Sequence, residues 1–415
     1  MRVGGSGHTG RDGGVTVARM AVVGGSVAGC AAAVAGTGAG YDVVVHERTE
    51  RGFADRGFGI AVPPGLLDEW VKTRYLDPAM PFLPVTERAW LHVTDRGGER
   101  ELWRQPMEVA VCNWYLLWRS LRARVERAEY RSGSRVDGVR RDGGTGGATI
   151  LVNGEEHRYD LVVGADGHRS VVRSLVAPEA VPEYAGYALW RGCLPETALS
   201  PSIVREAERA LVTVVFPGGH GIFYLMPATD GGRLLNWGVY MFPPAGTPYD
   251  PSAAYPPGAD PGLAVRVKDV VRRHFPARWA QVVESCADSA IAVQPMLDLP
   301  LPRYAASGVV LAGDAGALTR PHTASGAVKA IEDARCLERA LRTTASPDEA
   351  LTRYDTERRE EANRLTALGR RIGRAQVERT PDWDTMGPTD MSAWARTTLS
   401  GTAHYLYRDT DDERM

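Results

Sequence analysis

Two glycine-rich stretches near the start of the chain have the residue types of a turn that binds the pyrophosphate of a dinucleotide. Residues 3–14 read VGGSGHTGRDGG, and residues 21–30 read AVVGGSVAGC. Such a turn binds a pyrophosphate only where a buried strand leads into a helix N-terminus, because the free N–H groups there face the anion. The first stretch has no strand before it and no helical periodicity after it, so we predict that residues 1–14 are a flexible tail.

The second stretch has both flanking elements. Residues 15–23 form a β-branched, apolar run that is typical of a buried parallel strand. Residues 27–35 predict a helix of small residues, which Gly36 and the glycines after it would end. The second stretch is therefore the better candidate for the binding turn.

An acidic residue follows at the spacing that such a turn requires. Residues 43–45 predict the next strand, and Glu47 closes it 23 positions after Gly24, which suits a carboxylate that binds ribose hydroxyls. The alternative is an ordinary strand–helix–strand unit without a ligand. The residues expected to line the pyrophosphate are Gly24, Gly25, Ser26 and Gly29.

Two later stretches repeat the pattern of a buried strand followed by an acidic turn. Residues 161–173, LVVGADGHRSVVR, predict a strand, a glycine turn with Asp166, and a helix. Residues 308–312 predict another buried strand, and Asp314 stands at its carboxyl end, where α/β sheets bind ligands. A helix then starts at Gly326 with one apolar face, and its N-terminus favours negative charge.

Composition limits the classes of protein to consider. The 415 residues suffice for one large domain or two closely packed ones, and 44% hydrophobic with 24% charged residues is ordinary for a globular protein. A net charge of −2 argues against a nucleic-acid partner. The five cysteines are widely spaced, so neither a metal site nor a disulfide framework is indicated, and we expect a reduced, cytoplasmic protein. No apolar run is long enough to predict a membrane span.

The middle of the chain predicts an antiparallel sheet. Residues 211–216, 220–226 and 233–241 read as strands joined by glycine-rich hairpin turns, and residues 89–103 and 187–193 add further strands. Alternation along the central strand puts Phe223 and Leu225 on one face and Ile222, Tyr224 and Met226 on the other. The pattern leaves open which face is turned toward the ligand.

The three strand-and-turn segments together resemble the para-hydroxybenzoate hydroxylase family of class A flavin monooxygenases. The glycine turn with Glu47, then Asp166-Gly167, then Gly313-Asp314 match that family's three-part FAD signature over roughly residues 15–374. The stretches RGFGIAV, YAGYALWRG and GDAGALTRPHTASGA are similar to the branch that contains 2,6-dihydroxypyridine 3-hydroxylase.

The resemblance implies FAD as cofactor and NAD(P)H as co-substrate. Glu47 would bind the adenosine ribose, Asp314 the ribityl chain, and Asp166 belongs to a motif linked to both FAD and NAD(P)H. Gly326 and Ala327 would face the pyrimidine ring of the flavin. The full set of implied cofactor-binding residues is Gly24, Gly25, Ser26, Gly29, Glu47, Arg48, Gly59, Arg119, Asp166, Asp314, Gly326 and Ala327.

The implied fold is α/β, with a Rossmann-like, three-layer FAD-binding domain of the glutathione-reductase type, an inserted antiparallel substrate sheet and C-terminal helices. The expected segments are a flexible tail (1–14), the FAD-binding domain in three parts (15–88, 113–180 and 296–345), a substrate-domain hairpin (89–112), the substrate-binding β-sheet domain (181–295) and a C-terminal helical region (346–415). A capping box at Ser346 predicts a long helix to about residue 376. Residues 380–415 are rich in aromatic residues and would cover the cavity or form an interface.

Three residues are the candidates for catalysis beside the flavin. His322 lies in the loop that passes the reactive edge of the flavin in this family, and it would deprotonate or orient a hydroxylated ring. The alternative is a loop histidine that bonds to the backbone. Arg191 would pair with an acidic or carbonyl group of the substrate, or form a salt bridge under the sheet. Tyr224, like Trp190 and Tyr240, would be cavity wall or core, and His220 follows a hairpin turn and is expected to be exposed.

The function implied is hydroxylation of an aromatic or heteroaromatic small molecule with NAD(P)H and O2 through a C4a-hydroperoxyflavin, in a monomer or homodimer. Alternatives are another flavin oxygenation, such as epoxidation or Baeyer–Villiger insertion, and an FAD-binding structural partner without turnover. The Trp-x-Trp-x-Ile-Pro stretch of halogenases is absent from the sequence. An NAD-dependent dehydrogenase would not need Gly313-Asp314 and its helix.

Overall fold

The computed structural model describes residues 17–53, 57–94, 96–143, 146–246, 249–253 and 255–401. The predicted tail over residues 1–14 lies outside the described residues, and so does the end of the aromatic segment from residue 402 onward. Within the described residues no helix is both long enough and apolar enough to cross a membrane.

The strands belong to three sheets. In chain order they are β1 (Arg19–Val23), β2 (Asp42–Glu47), β3 (Gly59–Val62), β4 (Leu83–Val93), β5 (Glu99–Asn113), β6 (Glu129–Ser132), β7 (Val136–Arg141), β8 (Ala148–Val152), β9 (Glu155–Tyr159), β10 (Leu161–Gly164), β11 (Glu183–Pro195), β12 (Leu211–Phe216), β13 (Gly219–Pro227), β14 (Arg233–Met241), β15 (Ala292–Asp298), β16 (Ala305–Ala306) and β17 (Val309–Leu311).

The helices connect these sheets and cover them. They are α1 (Val27–Gly38), α2 (Pro64–Lys72), α3 (Trp114–Arg122), α4 (Arg173–Val176), α5 (Pro201–Arg209), α6 (Pro261–His274), α7 (Ala277–Ser285), α8 (Gly326–Thr343), α9 (Pro347–Gly373) and α10 (Pro388–Leu399). Short 3₁₀ turns lie at Glu196–Ala198, Asp288–Ala290, Gly313–Ala315 and Pro321–Thr323, and a π turn lies at Arg374–Glu378.

The six-stranded sheet has the order β16-β17-β10-β1-β2-β6, in which only β16 runs antiparallel to its neighbour. Its central strands are buried on both faces, as parallel sheets require, with helices α1 and α8 packed against each other and a second sheet, β7-β8-β9, as a further layer. The carboxyl ends of β1, β2, β10 and β17 meet at one edge. The predicted α/β, three-layer fold is therefore confirmed.

Two boundaries near the glycine turn differ from the prediction. Strand β1 begins at Arg19 rather than residue 15, and α1 continues through Gly36 to Gly38. Gly36 lies inside the helix, where its missing side chain lets the helix pack closely on strand β1. A Cβ there would lie 2.5 Å from the sulfur of Met20.

The eight-stranded sheet has the order β15-β11-β14-β13-β12-β4-β5-β3. It is antiparallel except for the parallel pair β12–β4, which confirms the predicted antiparallel sheet. The predicted boundaries at 88/89 and 295/296 fall inside β4 and β15, and the division into domains stays a prediction.

The two faces of this sheet have different partners. Phe223 and Leu225 belong to a core with residues of helices α5, α6 and α7, such as Trp279. Tyr224 and Ile222 lie on the other face, where the Tyr224 hydroxyl donates to the carbonyl of Gly59 at 3.0 Å. The loop before α8 lies against this second face, since His322 of that loop packs on Tyr240, which clusters with Ile222.

The C-terminal region packs on the eight-stranded sheet within the described residues, which end at residue 401. The Ser346 hydroxyl caps α9 by accepting from the N–H of Glu349 at 3.3 Å, and after Gly373 the chain continues as the π turn, close to the predicted end. Trp383 and Trp394 form a cluster with Trp90 of β4, with ring centroids 5.4 Å apart for both contacts of Trp394. This cluster explains why the segment is aromatic as far as residue 401.

Candidate cofactor and substrate site

The turn between β1 and α1 has no room for side chains. Gly24 has a φ of +98°, and a Cβ there would lie 2.4 Å from the carbonyl oxygen of Ala165. A Cβ on Gly29 would lie 1.8 Å from the carbonyl oxygen of Gly24. Ser26 makes no side-chain cap to α1, and the first turn of that helix has no acidic residue. The helix N-terminus thus presents free N–H groups to an anion.

The carboxylate of Glu47 is held against this turn. It is 5% exposed, with one oxygen accepting from the Gly25 N–H at 2.7 Å and the other from the Thr49 N–H at 2.8 Å. Trp118 and Tyr130 donate to the carbonyl of Gly25 at 2.9 and 3.1 Å and fix the turn from the other side. The predicted ribose-binding carboxylate and the predicted pyrophosphate turn are therefore one hydrogen-bonded unit.

The Gly313-Asp314 turn is held by a buried cluster of charged side chains. The N–H of Gly313 donates to Asp333 at 2.8 Å, and Lys329 donates to the carbonyl of Gly313 at 2.5 Å. Arg358 of α9 donates to the other oxygen of Asp333 at 2.6 Å. These contacts leave the carboxylate of Asp314 exposed at the sheet edge, where a ligand hydroxyl can reach it.

Sequence reasoning missed this cluster of Lys329, Asp333 and Arg358. Lys329 is 1% exposed and Asp333 is fully buried, although charged residues on a helix are usually at the surface. The available signal was their spacing of four residues, which puts both charges on one face of α8. The spacing could not reveal that Arg358 completes the group.

The Asp166 turn is joined to the Gly313-Asp314 turn by Arg173. The guanidinium donates to the carbonyls of Asp314 and Ala315 at 3.3 and 3.4 Å, and to the carbonyl of His168 at 2.5 Å. Asp166 itself accepts from the Ser170 hydroxyl at 2.5 Å, and burial raises the pKa of its carboxyl group. The predicted helix after Asp166 was wrong for most of its length, because that carboxylate holds the segment as a turn and only Arg173–Val176 is helical.

The N-terminus of α8 opens into free space. A Cβ on Gly326 would meet nothing within 4 Å, Ser325 makes no side-chain cap to the helix, and its first turn has no acidic residue. The preceding Ala324 has a φ of +51°, which is uncommon for a residue other than glycine and brings the loop sharply into the helix. This open helix end lies beside the Asp314 turn.

The other implied cofactor residues lie around this edge in different settings. Arg48 and Arg119 are exposed, and Ala327 is half-buried. The N–H of Gly59 in β3 donates to the side chain of Asn236 in β14 at 3.0 Å, so Gly59 is tied to another strand of the same eight-stranded sheet. All these contacts with a cofactor remain predictions.

The helix N-termini and carboxylates at this sheet edge fit FAD. Two uncapped helix N-termini suit the pyrophosphate and the electron-rich end of an isoalloxazine ring, and two carboxylates at the same sheet edge suit ribose and ribityl hydroxyls. The fold requires a glycine at Gly24, where the packing is close, and the open space at Gly326 leaves room for a ligand.

Arg191 and Tyr224 lie on the sheet face that is turned toward this edge. The guanidinium of Arg191 lies 3.7 Å from the centroid of the Phe58 ring and donates to Gln294 at 3.5 Å, and its Nε has no hydrogen-bond partner. Among the described residues Arg191 makes no ion pair, and burial lowers its pKa. Burial also raises the pKa of Tyr224. Trp190 belongs to the opposite, helix-covered core, where it donates to the carbonyl of Leu263.

His322 is 7% exposed and lies over the same sheet face. Its Nε2 is 2.6 Å from the Tyr187 hydroxyl rather than bonded to the backbone, and its Nδ1 has no partner among the residues that the structure describes. Burial and the neighbouring His220 and Arg320 hold the pKa of His322 well below its usual value. The ring packs on Tyr240, with centroids 4.4 Å apart.

The prediction that His220 is exposed was wrong. His220 is 2% exposed and stacks on Tyr240 at 4.6 Å, and burial lowers its pKa to about 3. The hairpin turn ends at Gly218, so His220 is already a paired residue of β13 opposite Tyr240. Sequence reasoning also gave no role to Tyr187 and Arg320, which lie next to His322 only through contacts between distant parts of the chain.

The family model described as the FAD binding domain matches residues 17–368 of this chain. The chain belongs to this FAD-binding family. It is 31% identical to the 3-amino-4-hydroxybenzoate 2-monooxygenase of Streptomyces cremeus over 81% of this chain and 82% of that protein. It is 33% identical to the aurachin C monooxygenase/isomerase of Stigmatella aurantiaca, over 58% of this chain and only 57% of that relative's length.

Solved structures show the same fold. The 2,6-dihydroxypyridine-3-hydroxylase of Arthrobacter nicotinovorans superposes with a TM-score of 0.79 and 23% identity, over 90% of this chain and 97% of that chain. These findings confirm the predicted membership of the para-hydroxybenzoate hydroxylase family. This member of the FAD-binding family is an FAD-dependent monooxygenase, for which NAD(P)H is the typical co-substrate.

Proposed function

We propose that this chain hydroxylates an electron-rich aromatic or heteroaromatic ring that carries an acceptor oxygen. The names of two similar proteins, 3-amino-4-hydroxybenzoate 2-monooxygenase and 2,6-dihydroxypyridine-3-hydroxylase, specify hydroxylated six-membered rings. The observation that carries the proposal here is Arg191, which lies on the ring of Phe58 and whose buried Nε has no hydrogen-bond partner in the described part of the chain.

The edge at which the carboxyl ends of β1, β2, β10 and β17 meet, here called the cofactor edge, has the residues to bind FAD. Glu47 and Asp314 bind its ribose and ribityl hydroxyls, and the N-termini of α1 and α8 stabilise its negative charge. When bound, FAD supplies the reduction by NAD(P)H and the activation of O2. In this proposal that chemistry takes place next to the sheet face that carries Arg191 and against which His322 packs.

Arg191 supplies a positive charge that has no carboxylate partner among the described residues. Its buried Nε–H is stabilised by an anionic or carbonyl oxygen, because the unsatisfied donor is costly. The substrate oxygen supplies that acceptor. Since Arg191 lies on the ring of Phe58, its position is fixed before the substrate arrives.

The remaining candidates form the walls of the cavity. Tyr224 is held by Gly59, so its ring is a fixed surface for a flat substrate. His322 presents its unpartnered Nδ1 and orients the ring, and the surrounding aromatic residues exclude water. The predicted cytoplasmic location and the monomeric or homodimeric state stay predictions.

The experiment that tests this function follows the oxygen atom. The FAD-loaded protein is incubated with NADPH or NADH, isotopically labelled O2, and a panel of phenols, hydroxypyridines and hydroxybenzoates. We expect one labelled oxygen atom in the product of at least one compound that carries an acceptor oxygen. Arg191→Met should raise KM for that compound more than it lowers kcat, and Arg205→Met, on an outer helix, is the matched control. Labelled product from neutral arenes alone would contradict the proposal.

A further inference from the structure

The guanidinium of Arg191 has one edge that no protein group occupies. Its Nη1 donates to the side-chain oxygen of Gln294 at 3.5 Å, and this is its only hydrogen bond within the part of the chain that the structure describes. Its Nε is buried without a partner there. A buried donor without an acceptor is costly, because it has lost water and gained no hydrogen bond. The unused donors are those of the edge formed by Nε and Nη2.

The same edge of other arginines in this chain holds a carboxylate. Nε and Nη2 of Arg131 donate to the two oxygens of Glu129, both at 2.8 Å. Nε of Arg278 donates to Glu99 at 2.7 Å, and its Nη2 donates to the second oxygen of that carboxylate. Two parallel N–H groups match the two oxygens of a carboxylate in distance and in plane. Arg191 therefore leaves unused the edge that binds carboxylates elsewhere in the molecule.

The ring of Phe58 fixes the plane of this guanidinium. The guanidinium carbon lies 3.7 Å from the ring centroid, which is a stacking distance. The backbone of Phe58 is itself held, because its carbonyl accepts from the N–H of Trp114 at 3.0 Å. The next residue, Gly59, donates to Asn236 and accepts from Tyr224, each at 3.0 Å. The unused edge is thus held in one orientation before a ligand arrives.

The sheet face beside Arg191 is open. Arg191 of β11 pairs with Gly238 of β14, which pairs in turn with Ile222 of β13, so the three residues form one cross-strand row. Gly238 has no side chain, and Arg191 and Ile222 are only half-buried although they lie on inner strands of the sheet. Phe223, on the opposite face that the helices cover, is fully buried. The half-buried row therefore marks an opening with Arg191 at one side.

We propose that the Nε–Nη2 edge of Arg191 binds a carboxylate of the substrate side-on, and that Phe58 and Gln294 position this edge. A carboxylate presents two coplanar oxygens, so it accepts from both N–H groups at once. It also supplies the counter-charge that Arg191 lacks among the described residues. The substrate is therefore an aromatic acid.

This inference rests on the proposed function and narrows its substrate from a ring with any acceptor oxygen to a ring with a carboxylate. It also decides between the two alternatives that the sequence left for Arg191, because no salt bridge under the sheet forms among the described residues. Phe58 and Gln294 contact Arg191 rather than the reacting atoms, so they are positioning residues.

The test measures binding to the oxidised, FAD-loaded protein without NAD(P)H, so it needs no turnover. 4-Hydroxybenzoate and 4-hydroxybenzamide share the ring, the hydroxyl group and the shape, and only the first carries a carboxylate. Calorimetric titration should give about tenfold tighter binding of 4-hydroxybenzoate. This preference should vanish in Arg191→Met and persist in Arg205→Met, on an outer helix. Equal binding of the two probes, or binding of neither, would overturn the proposal.

Arg191→Lys separates side-on binding from charge alone. Lysine keeps the positive charge but has no pair of coplanar donors, so the preference should fall to about threefold while the dissociation constant for FAD stays unchanged. A full tenfold preference in Arg191→Lys would show that charge alone is recognised. Weaker FAD binding with an intact preference would assign Arg191 to the cofactor. Either result would overturn the side-on assignment.

Gln294→Glu tests the position of the subsite. It puts a carboxylate of the same shape against Nη1 of Arg191, so the counter-charge comes from the protein and repels that of the ligand. The preference for 4-hydroxybenzoate should fall below about threefold, while 4-hydroxybenzamide binds as before. Gln281→Glu, at an exposed position of α7, is the matched control and should leave the preference unchanged. An unchanged preference in Gln294→Glu would contradict the proposed position.

Phe58→Leu tests the stacking. It removes the ring under the guanidinium, so the preference should fall about threefold, and Phe58→Tyr, which keeps the ring, should restore it. Phe82→Leu, at a phenylalanine that is 46% exposed, is the control and should have no effect. Equal preferences in Phe58→Leu and Phe82→Leu would show that Phe58 does not position Arg191.

The binding test and the labelled-oxygen assay separate this inference from the proposed function. Preferred binding of the carboxylate without labelled product from any ring would count against the proposed function alone. Labelled product from uncharged phenols, with equal binding of 4-hydroxybenzoate and 4-hydroxybenzamide, would overturn the carboxylate subsite and leave the proposed function intact.

Discussion

Arg173 donates from its guanidinium to the backbone carbonyl of Asp314 at 3.3 Å. This contact joins the turn after β10 to the turn after β17, two segments that are 141 residues apart in the chain. The exposed carboxylate of Asp314 is therefore positioned from two sides, by Arg173 on one and by the buried Lys329–Asp333–Arg358 cluster on the other.

Loss of the contacts made by Arg173 should weaken the binding of FAD. Arg173→Met keeps the length of the side chain but leaves three carbonyls without their donor, so the dissociation constant for FAD should rise about tenfold. Fluorescence titration of the FAD-free protein measures it. Arg169→Met is the matched control, because Arg169 donates only to Ser252 at the surface. Equal FAD affinity in both variants would contradict the role of Arg173.

The open space at Gly326 predicts a variant that folds well and binds FAD poorly. An added Cβ meets no protein atom within 4 Å, so Gly326→Ala should change the unfolding free energy of the FAD-free protein by less than about 1 kcal/mol. If the flavin lies there, the methyl group should raise its dissociation constant about tenfold.

Gly65→Ala is the control for this prediction. Gly65 also stands in the first turn of a helix with no atom within 4 Å of an added Cβ, but it lies in α2. It should affect neither stability nor FAD binding. Unchanged FAD affinity in Gly326→Ala would place the flavin elsewhere.

The buried charge at Asp333 should dominate the stability of the α8–α9 region. Asp333→Asn leaves Lys329 and Arg358 without their shared carboxylate, so the unfolding free energy should fall by about 3–5 kcal/mol. Chemical denaturation measures this loss. Glu357→Gln, which breaks two half-exposed pairs with Arg339 and Arg353, should cost no more than about 1 kcal/mol. Equal losses in the two variants would contradict the assignment.

The buried His46 should make the unfolding free energy depend on pH. Burial lowers its pKa to about 4, while its usual value is 6.5, so the unfolded chain binds more protons between these two pH values. The unfolding free energy should therefore fall as the pH is lowered from 6.5 toward 4, with His46 contributing at most about 3 kcal/mol. His46→Asn should flatten this slope in denaturation curves taken across the range. An unchanged slope would show that His46 does not cause it.

The elements that carry the cofactor edge could be predicted from the sequence because they depend on local patterns. The runs before Gly24, Asp166 and Asp314 are continuous apolar strands, and the glycines after them are required by the tight turns. The fold of these segments needs only strand periodicity and turn chemistry.

The substrate side could not be predicted in the same way. His220 lies one residue beyond a glycine pair, which suggested an exposed turn, but cross-strand pairing with Tyr240 buries it. Tyr187 and His322 are 135 residues apart, and no local pattern marks their contact. Arg358 reaches Asp333 from another helix, so its burial is a property of the packing of α8 on α9.

The most direct test of the account is the consumption of NADH and NADPH by the FAD-loaded protein, with and without hydroxylated aromatic compounds, while hydrogen peroxide is monitored in parallel. We expect one class of hydroxylated ring to accelerate NAD(P)H oxidation, with little peroxide formed beside the hydroxylated product. Oxidation that no ring accelerates, or that yields peroxide in equal amount with every ring, would contradict the claim that this chain is an aromatic hydroxylase.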